Sequence, residues 1–526
     1  MAVKKLQHLP IGIQDFETLR NGNYLYVDKT EGIYNLVSPE SPAYFLSRPR
    51  RFGKSMICST LKALFLAKKE LFDGTWIATS DWQWKKHPII YLSFARIKHA
   101  TPEALVQNIK KALITIATEY GKTLMDDSPG GMLDDLIVQL EASDGKVVMI
   151  VDEYDKPIID NLQNIVHISA MRTVLKDFYS SLKDLSSKMR VLFITGVSQF
   201  SMVSIFSDLN HLQKLSFHRA AATICGYTQT ELEHSFAPYI EMAVGELGLT
   251  RDELLAEIKH WYNGYLFANP ELAPDRVYNP FSVINFFSAF DFQNFWFASG
   301  TPTFVIDYFK KEPLTLKNFQ EVKATESELS SMLPEQLNPT TLLYQTGYLT
   351  IKRREGREYI LGFPNQELAS ASADSLLQFS LKKMQSPLPG LGYKLGELFR
   401  SDAFTQEKLL TILKNICVCI PYPVAPDDEK DYQMLLFITL QFAGIDSKVE
   451  VPTAEGRIDI LIFYENRAYI VELKIKGSAE KAQQQIEDKH YDALYQLEGK
   501  DVTRIAIVYD VDKHTIKDCS IVKPSY

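Results

Sequence analysis

The sequence has few cysteines and no long apolar run. Its five cysteines, at positions 58, 225, 417, 419 and 519, show neither the spacing of a zinc site nor an even count for disulfide pairing, so we expect a reducing compartment. No apolar stretch approaches membrane-spanning length, and the first ten residues lack the apolar core of a signal peptide. These absences predict a cytoplasmic protein without a membrane partner.

A strong excess of positive charge is also missing. The formal net charge is −8, which argues against a uniformly basic protein that coats nucleic acid but leaves room for a local basic groove. Apolar residues make up 46% of the 526 residues and aromatic residues 12%, which is typical of a well-packed globular protein. Because the chain is too long for one hydrophobic core, roughly two to four domains are expected.

The segment from Ala43 to Ser55 predicts a phosphate-binding loop between a buried strand and a helix. Backbone N–H groups at a helix start bind phosphate, a lysine reaches the β- and γ-phosphate oxygens, and a serine hydroxyl ligates Mg²⁺. The loop departs from the usual pattern, because Arg48 stands where a first glycine is expected. The predicted nucleotide-binding residues of this segment are Arg50, Arg51, Phe52, Gly53, Lys54, Ser55 and Met56.

The loop arginines and the segment before the loop leave alternatives open. Arg48, Arg50 and Arg51 either neutralise phosphate charge, act as a trans-acting finger in a homo-oligomer, or form a solvated basic loop. The segment Ile11–Ile13, and Ile11 and Gly12 in particular, is predicted to pack against the adenine of ATP; the alternative is an N-terminal cap on the core.

A second buried strand ends in two acids, Asp152 and Glu153. Five consecutive apolar residues before them predict a strand buried on both faces of a parallel sheet, and sites in such sheets lie at the carboxyl ends of strands. We expect Asp152 to hold Mg²⁺ and Glu153 to deprotonate the attacking water. On the next strand, Thr195 or Ser198 would contact the γ-phosphate. Strands alternate with helices from residue 43 to 198, which predicts a parallel sheet with helices on both faces.

From about residue 228 the pattern becomes helical and rich in aromatic residues, which predicts helix packing. Thr228 and Glu231 predict a capping box, and residues 347–363 predict a hairpin that follows a helix, as in a winged helix. The hairpin either contacts a phosphate backbone or packs between domains. Its basic residues are Lys352, Arg353, Arg354 and Arg357.

Residues 427–526 contain a second candidate site. Two apolar strands predict a hairpin in which Glu472 and Lys474 share a face and Asp459 lies beside them. This trio suits phosphodiester hydrolysis, with Asp459 and Glu472 binding one or two Mg²⁺ or Mn²⁺ ions and Lys474 stabilising the developing charge. The alternative is an ordinary charged cluster on an exposed face. Glu429 and Gln485 are auxiliary candidates.

Together these motifs resemble, almost end to end, bacterial AAA-ATPase-like proteins that carry a C-terminal PD-(D/E)XK nuclease-superfamily domain. An arginine at the position of Arg48 is typical of that family. The matching segments are Ile11–Ile13, Tyr26–Thr30, Arg48–Ser55, Val151–Asp155, Thr195–Ser198, Tyr262–Tyr265, Tyr278–Phe281, Gly347–Thr350, Phe363–Asn365, and Asp459 with Glu472–Lys474.

The resemblance implies an α/β multidomain protein. A P-loop ATPase domain is expected over 1–227, a helical and winged-helix-like region over 228–385, and a restriction-endonuclease-like domain over 386–526. The leading hypothesis is an ATP-regulated, Mg²⁺-dependent nuclease that acts on DNA rather than RNA, in defence against or maintenance of mobile DNA. The alternatives are an ATP-dependent signalling or oligomerisation switch that binds nucleic acid or a partner without cleaving, and an NTPase whose trio is structural.

Overall fold

The computed structural model describes residues 6–162, 164–199, 205–296, 322–330, 338–371, 388–401, 403–418, 429–453, 455–475 and 477–523. The chain divides into two compact units, Met1–Glu367 and Leu368–Tyr526. The predicted segment 1–227 and most of 228–385 fall within the first unit. The predicted boundary before residue 386 lies outside the described residues, and the three-domain division stays a prediction.

A parallel sheet stands at the centre of the first unit. In the described residues its strand order is β2-β3-β4-β1-β5, and the pairs are parallel. β3 is buried at every residue, as expected for a strand that is apolar on both faces. The predicted parallel α/β sheet is confirmed. Its strands are β1 (Ala43–Ser47), β2 (Ile89–Ser93), β3 (Val147–Asp152), β4 (Met189–Gly196) and β5 (Gln213–Lys214).

Helices accompany these strands, and four of them begin at a residue whose side chain caps the helix. Thr101 accepts a hydrogen bond from the N–H of Ala104, and Pro102 occupies the first turn of α4, as the sequence predicts. Helices α3 and α5 pack on β3. The helices of this part are α1 (Phe16–Asn21), α2 (Thr30–Val37), α3 (Lys54–Phe65), α4 (Pro102–Glu119), α5 (Pro129–Asp144), α6 (Lys156–Ile159) and α7 (Ile165–Ser180).

The rest of the first unit is mainly helical. The capping box of Thr228 and Glu231 is present, and aromatic side chains such as Phe236, Tyr262 and Phe286 form a helical core, so the aromatic residues pack helices as predicted. Helix α13 immediately precedes the hairpin, also as predicted. The elements are α8 (Gln229–Ser235), α9 (Ala237–Leu247), α10 (Arg251–Tyr262), α11 (Pro280–Ala289), β6 (Val322–Thr325), α12 (Glu326–Ser330), α13 (Pro339–Thr346), β7 (Thr350–Glu355) and β8 (Glu358–Gly362).

The second unit contains a mixed sheet with order β13-β12-β11-β10-β9 in its described residues. Only the β11–β12 pair of this sheet is parallel. The predicted hairpin is β10 and β11, and Cys417 is buried, whereas Cys419 lies outside the described residues. The elements are α14 (Leu388–Arg400), α15 (Gln406–Val418), α16 (Glu429–Phe442), β9 (Asp446–Pro452), β10 (Arg457–Tyr464), β11 (Arg467–Lys474), α17 (Ala479–Asp488), α18 (Ala493–Leu497), β12 (Asp501–Asp510) and β13 (Thr515–Val522).

Among the described residues, every helix is too short or too polar to span a membrane.

Candidate functional site

The predicted phosphate loop connects β1 to α3. Gly53 has a φ of +93°, a left-handed conformation that glycine adopts readily, and α3 begins at the next residue. The side chain of Lys54 folds back over the loop and donates hydrogen bonds to the carbonyl oxygens of Arg48 and Pro49 at 2.8 and 2.9 Å. Burial lowers the pKa of Lys54, and the nearby Glu153 opposes that decrease. The ammonium is therefore enclosed by its own loop.

Arg48 supports the loop from inside the protein. Its side chain is 2% exposed and donates to the carbonyl oxygens of Ser47, Ser216 and Ala221 at 2.8, 3.0 and 2.7 Å. The guanidinium also lies 4.3 Å from the ring centroid of Phe267. All three interpretations of Arg48 drawn from the sequence are corrected, because an enclosed guanidinium is neither solvated nor directed at a phosphate or a second chain.

Asp152, at the end of β3, accepts hydrogen bonds from two hydroxyl groups. The Oγ of Ser55 donates to Oδ2 at 2.7 Å, and the Oγ1 of Thr195 donates to Oδ1 at 2.7 Å. Because β4 lies between β3 and β1, the carboxyl ends of these strands meet at one edge of the sheet. A serine hydroxyl beside a carboxylate is a donor set that Mg²⁺ accepts, so the two predicted metal ligands lie together.

Glu153 adopts a left-handed backbone conformation with a φ of +55°. This conformation costs a non-glycine residue about 1–2 kcal/mol, and such strain persists where neighbouring contacts enforce it. Burial raises the pKa of the Glu153 carboxyl, and the charge of Lys54 opposes the rise. A carboxylate with a raised pKa beside the loop lysine has the properties of a general base.

Neither predicted contact for the γ-phosphate has a hydroxyl directed toward the loop. The Thr195 hydroxyl donates to Asp152, and the Ser198 hydroxyl donates to Asp155 at 2.7 Å. Both side chains are 0% exposed. Their hydroxyl groups position acids, which the strand pattern alone does not reveal. Asp155 was missed as a site residue, although it follows Asp152 at the same strand end.

The segment predicted to hold the base lies along α3. The N–H of Phe16 donates to the Oγ of Ser59 at 2.9 Å, which ties this segment to the helix that follows the loop. The side chain of Ile11 is 48% exposed, and Gly12 has a φ of +74°. An exposed Ile11 does not cap the core, and its contact with a base stays a prediction.

The helical part of the first unit holds the loop from the other side. The indole Nε1 of Trp296 donates to the carbonyl oxygen of Arg50 at 2.8 Å. The ring of Phe52 lies 4.7 Å from that of Tyr265 and 5.3 Å from that of Phe267. The Phe52 side chain is 1% exposed and packs in the core, so only its backbone remains a candidate for nucleotide binding.

The remaining predicted loop contacts keep accessible side chains. Arg50 and Met56 are partly exposed and Arg51 is exposed. The guanidinium of Arg51 lies 4.5 Å from the ring centroid of Phe281. Unlike Arg48, Arg50 and Arg51 retain all three interpretations: phosphate binding, a trans-acting finger and a solvated loop.

In the second unit the predicted trio converges. The register that pairs Ile460 with Val471 places Asp459 opposite Glu472. The Nζ of Lys474 donates to the Oε1 of Glu472 at 2.8 Å and lies 3.9 Å from Glu429. The alternation of side chains along β11 therefore brings the carboxylates and the amine together, as the sequence predicts.

The two acids of this site lie where charge is poorly compensated. Burial raises the pKa of Asp459 to about 7, and the charge of Glu472 adds to the rise. Burial also raises the pKa of Glu472, against the hydrogen bond from Lys474. Although burial lowers the pKa of Lys474, its contacts with Glu472 raise it overall. A cation placed between the acids would stabilise their ionised forms.

Whether a metal ion fits this site depends on which carboxylate oxygens lack a hydrogen-bond partner. The Oε2 of Glu472 is buried and has no hydrogen-bond partner, whereas an Oδ2 of Asp459 accepts the N–H of Leu473 at 2.7 Å. Within the described ranges, no group of three or more His, Cys, Asp and Glu side chains surrounds one metal position. Mg²⁺ commonly binds through one or two carboxylates and completes its shell with water and phosphate oxygens, so the pair present fits that ion.

Side chains from two helices support the acids. Gln485, on α17, donates from Nε2 to the Oε1 of Glu472, which agrees with its prediction as an auxiliary residue. Gln433, on α16, donates to the backbone carbonyl of Asp459 at 2.6 Å. Gln433 was missed, although its place four residues after Glu429 puts both on one face of the helix.

Three of the basic residues of the β7–β8 hairpin make polar contacts within the first unit. Lys352 donates to the carbonyl oxygen of Pro364 at 3.3 Å. Arg354 lies 3.6 Å from Glu271, and Arg353 is also paired, at 3.0 Å from Glu355. Lys352, Arg353 and Arg357 are nonetheless exposed, so both interpretations of the hairpin remain.

Comparisons with known proteins match both units of the chain. The family model described as "Predicted AAA-ATPase" matches residues 10–206, and the "PD-(D/E)XK nuclease superfamily" model matches residues 427–519. The chain is similar to the "Uncharacterized protein in vnfD 5'region" of Azotobacter chroococcum mcd 1, with 33% identity over 523 residues that cover 97% of each chain.

Two solved structures show a much weaker similarity. The ORC1 protein of Aeropyrum pernix in complex with DNA is 12% identical, with a TM-score of 0.24 over 66% of this chain and 90% of that one. Cdc6p of Pyrobaculum aerophilum is 12% identical, with a TM-score of 0.25 over 72% of this chain and 96% of that one. Scores this low carry no argument. The family models and the near-complete alignment with the Azotobacter relative show that the chain belongs to the family of bacterial AAA-ATPase-like proteins with a C-terminal PD-(D/E)XK nuclease-superfamily domain.

Proposed function

We propose that the first unit binds and hydrolyses ATP and that the second unit cleaves DNA with the help of Mg²⁺ or Mn²⁺. The observation that carries this proposal is the buried, unpaired Oε2 of Glu472 in a site shared with Asp459 and Lys474. An unpaired buried carboxylate oxygen is costly unless a ligand uses it. The family models for an ATPase and a nuclease superfamily support the same pairing of activities.

At the nucleotide site, each residue has a defined task. Lys54 exchanges the carbonyl oxygens of Arg48 and Pro49 for phosphate oxygens, at little cost because its ammonium already lies in the loop. Ser55 and Asp152 would hold Mg²⁺, which neutralises phosphate charge when bound. Glu153 accepts the proton of the attacking water.

The outer contacts of the nucleotide come from accessible side chains. Arg50 and Arg51 offset phosphate charge at the partly open side of the loop. Ile11, which is 48% exposed, and Gly12 contact the adenine. The chain's own loop thus supplies charge at one end of the nucleotide, and the N-terminal segment supplies an apolar surface at the other.

At the nuclease-like site, Asp459 and Glu472 would hold Mg²⁺ or Mn²⁺, which polarises the phosphoryl oxygen and lowers the pKa of bound water when present. Lys474 lies between two acids and donates to Glu472 at 2.8 Å, so its charge is positioned to stabilise the developing negative charge. Gln485 orients Glu472, and the N–H of Leu473 orients Asp459.

The nuclease proposal is tested by incubating plasmid and single-stranded DNA with Mg²⁺ or Mn²⁺, with and without ATP. We expect wild type to cleave DNA, and Asp459→Ala and Lys474→Ala to lose about 10³-fold or more in rate. Lys513→Ala is the matched control, because this side chain is 77% exposed. An RNA substrate of the same length tests the preference for DNA. Cleavage that survives Lys474→Ala contradicts the task given to that residue.

The ATPase proposal is tested separately. Lys54→Ala should abolish nucleotide binding, and Glu153→Gln should bind ATP but turn it over at least about 10²-fold more slowly. If Glu153→Gln hydrolyses ATP at the wild-type rate, Glu153 is not the base.

A second candidate function is an ATP-dependent switch, whose second unit binds nucleic acid or a partner without cleaving it. It is favoured by the finding that, in the described part of the chain, no three acidic, His or Cys side chains surround one metal position. Metal-independent DNA binding with intact product after long incubation would support the switch. A biological task in defence against or maintenance of mobile DNA rests on the family resemblance alone.

A further inference from the structure

We propose that Asp155 is a positioning residue that holds the general base Glu153 in its working conformation by fastening the end of β4 to the end of β3. This inference rests on the ATPase part of the proposed function. Asp155 itself does not contact the nucleotide in this proposal; it acts through Glu153.

The carboxylate of Asp155 is buried, at 1% exposure, and is surrounded by donors from one short segment. The backbone N–H of Val197 donates to it at 3.1 Å, that of Ser198 at 2.6 Å, and the Ser198 hydroxyl at 2.7 Å. All three partners donate to the carboxyl group. Burial raises the pKa of Asp155, and the hydrogen bonds from Ser198 oppose the rise. Three donors from two consecutive residues attach Asp155 to the end of β4 at several points.

Tyr154 extends the attachment. Its N–H donates to the carbonyl oxygen of Thr195 at 3.0 Å, and its hydroxyl donates to the carbonyl oxygen of Ser198 at 3.2 Å. The contact is close enough to require glycine at position 196, where a Cβ would lie 2.6 Å from the Tyr154 ring and 2.8 Å from the Asp155 carboxylate. The segment from Thr195 to Ser198 therefore wraps around Tyr154 and Asp155.

Glu153 lies between two residues, Asp152 and Asp155, whose carboxylates are held by hydrogen bonds. On one side Asp152 accepts the hydroxyl groups of Ser55 and Thr195 at 2.7 Å each, and on the other Asp155 is fastened to β4. Glu153 is left with the unfavourable φ of +55°, which surrounding contacts must enforce. Without the Asp155 attachment, the backbone of Glu153 is free to relax to a right-handed conformation, which redirects its carboxylate away from Lys54.

The test compares the kcat for ATP hydrolysis with the affinity for a non-hydrolysable ATP analogue. Asp155→Asn keeps the size of the side chain, but its amide NH₂ group is itself a donor and would face the donors from Val197 and Ser198. We expect its kcat to fall about 10- to 100-fold, because a displacement of about 1 Å in a reacting group costs that much, whereas affinity changes less than about 3-fold. Ser198→Ala removes one donor and should give a smaller fall. Asp160→Asn, a partly exposed acid in the same segment, is the matched control and should match wild type.

The readouts separate positioning from mere stability. Positioning predicts that Asp155→Asn loses kcat while it keeps its affinity for the analogue, and that the thermal midpoint moves too little to explain the lost rate. The proposal is overturned if Asp155→Asn retains wild-type kcat, or if kcat and affinity fall together with the thermal midpoint. If Asp155→Asn does not fold, Ser198→Ala decides by the same criteria. A wild type without ATPase activity, or a fully active Glu153→Gln, instead overturns the proposed function and this inference with it.

Discussion

In the first unit Asp152 accepts hydrogen bonds from two hydroxyl groups, whereas in the second unit Glu472 keeps a buried carboxylate oxygen without any partner. Asp155 likewise has three donors, although burial raises its pKa. Burial raises the pKa of Asp459 to about 7. Asp152 and Asp155 thus obtain several donors from the chain, whereas Glu472 keeps one carboxylate oxygen unpaired.

The two sites therefore differ in what holds their acidic side chains before a ligand binds. Acids that already have donors keep their geometry before a ligand arrives, and a nucleotide then enters a prepared loop. Acids that lack donors are costly until a cation binds, so ligand binding and stability are coupled at that site.

The largest effect is expected from disabling each site separately. Glu472→Gln should lower DNA cleavage by about 10³-fold or more, because it removes a negative metal ligand, and leave ATP hydrolysis within about 2-fold. Ser55→Ala should lower ATP hydrolysis about 10²-fold, because the hydroxyl beside Asp152 is lost. Both activities are measured on both variants. A large loss of ATPase activity in Glu472→Gln would contradict the separation of the sites.

A smaller effect is expected for metal-dependent stability. Mg²⁺ or Mn²⁺ at about 100-fold above its dissociation constant should stabilise the second unit by about 2.7 kcal/mol, which raises its thermal midpoint by roughly 5–10 °C. Differential scanning calorimetry without nucleotide measures the shift, which Glu472→Gln should abolish. If the metal raises the thermal midpoint of the first unit as much as that of the second, metal binding does not stabilise the nuclease-like site in particular.

The pH dependence of stability without metal follows from Asp459. Its folded-state pKa of about 7 exceeds the unfolded value of 3.8, so the protonated carboxyl favours folding below pH 4, and this stabilisation is lost as the pH rises through 7. Asp459→Asn should therefore be more stable than wild type at pH 8 by about 1–3 kcal/mol, with little difference at pH 4. Urea unfolding with a chelator measures this.

The control for that experiment is Asp446→Asn on the neighbouring strand β9, where the side chain is exposed. It should unfold as wild type does at both pH values. Equal stability of Asp459→Asn and wild type at pH 8 would show that the nuclease-like site carries no uncompensated charge.

The smallest effect concerns the contact that holds the phosphate loop. Trp296→Phe removes the indole N–H that donates to Arg50 at 2.8 Å, which should cost about 1 kcal/mol and weaken ATP binding about 2- to 5-fold. Trp76→Phe, at a side chain that is 39% exposed, is the control. Calorimetric titration with a non-hydrolysable analogue measures affinity. An unchanged affinity would mean that the phosphate loop keeps its conformation without the hydrogen bond from Trp296.

Local patterns were enough to predict much of both sites. Buried apolar runs located β1 and β3, and because parallel strands end at one edge of a sheet, Lys54, Ser55 and Asp152 had to lie near one another. Strand alternation put Glu472 and Lys474 on one face of β11. Such inferences succeed because the period of a strand and the topology of a parallel sheet are properties of short segments.

The partners of individual side chains were not predictable in this way. Arg48 donates to residues 168 and 173 positions away, and Phe52 packs on Tyr265 and Phe267; both had seemed candidates for contact with the nucleotide. The sequence by itself determined the strands, the phosphate loop and the acids at the strand ends. Only the tertiary structure decided which acids obtain donors and which arginine is enclosed, because burial and hydrogen bonding depend on segments that meet only after the chain has folded.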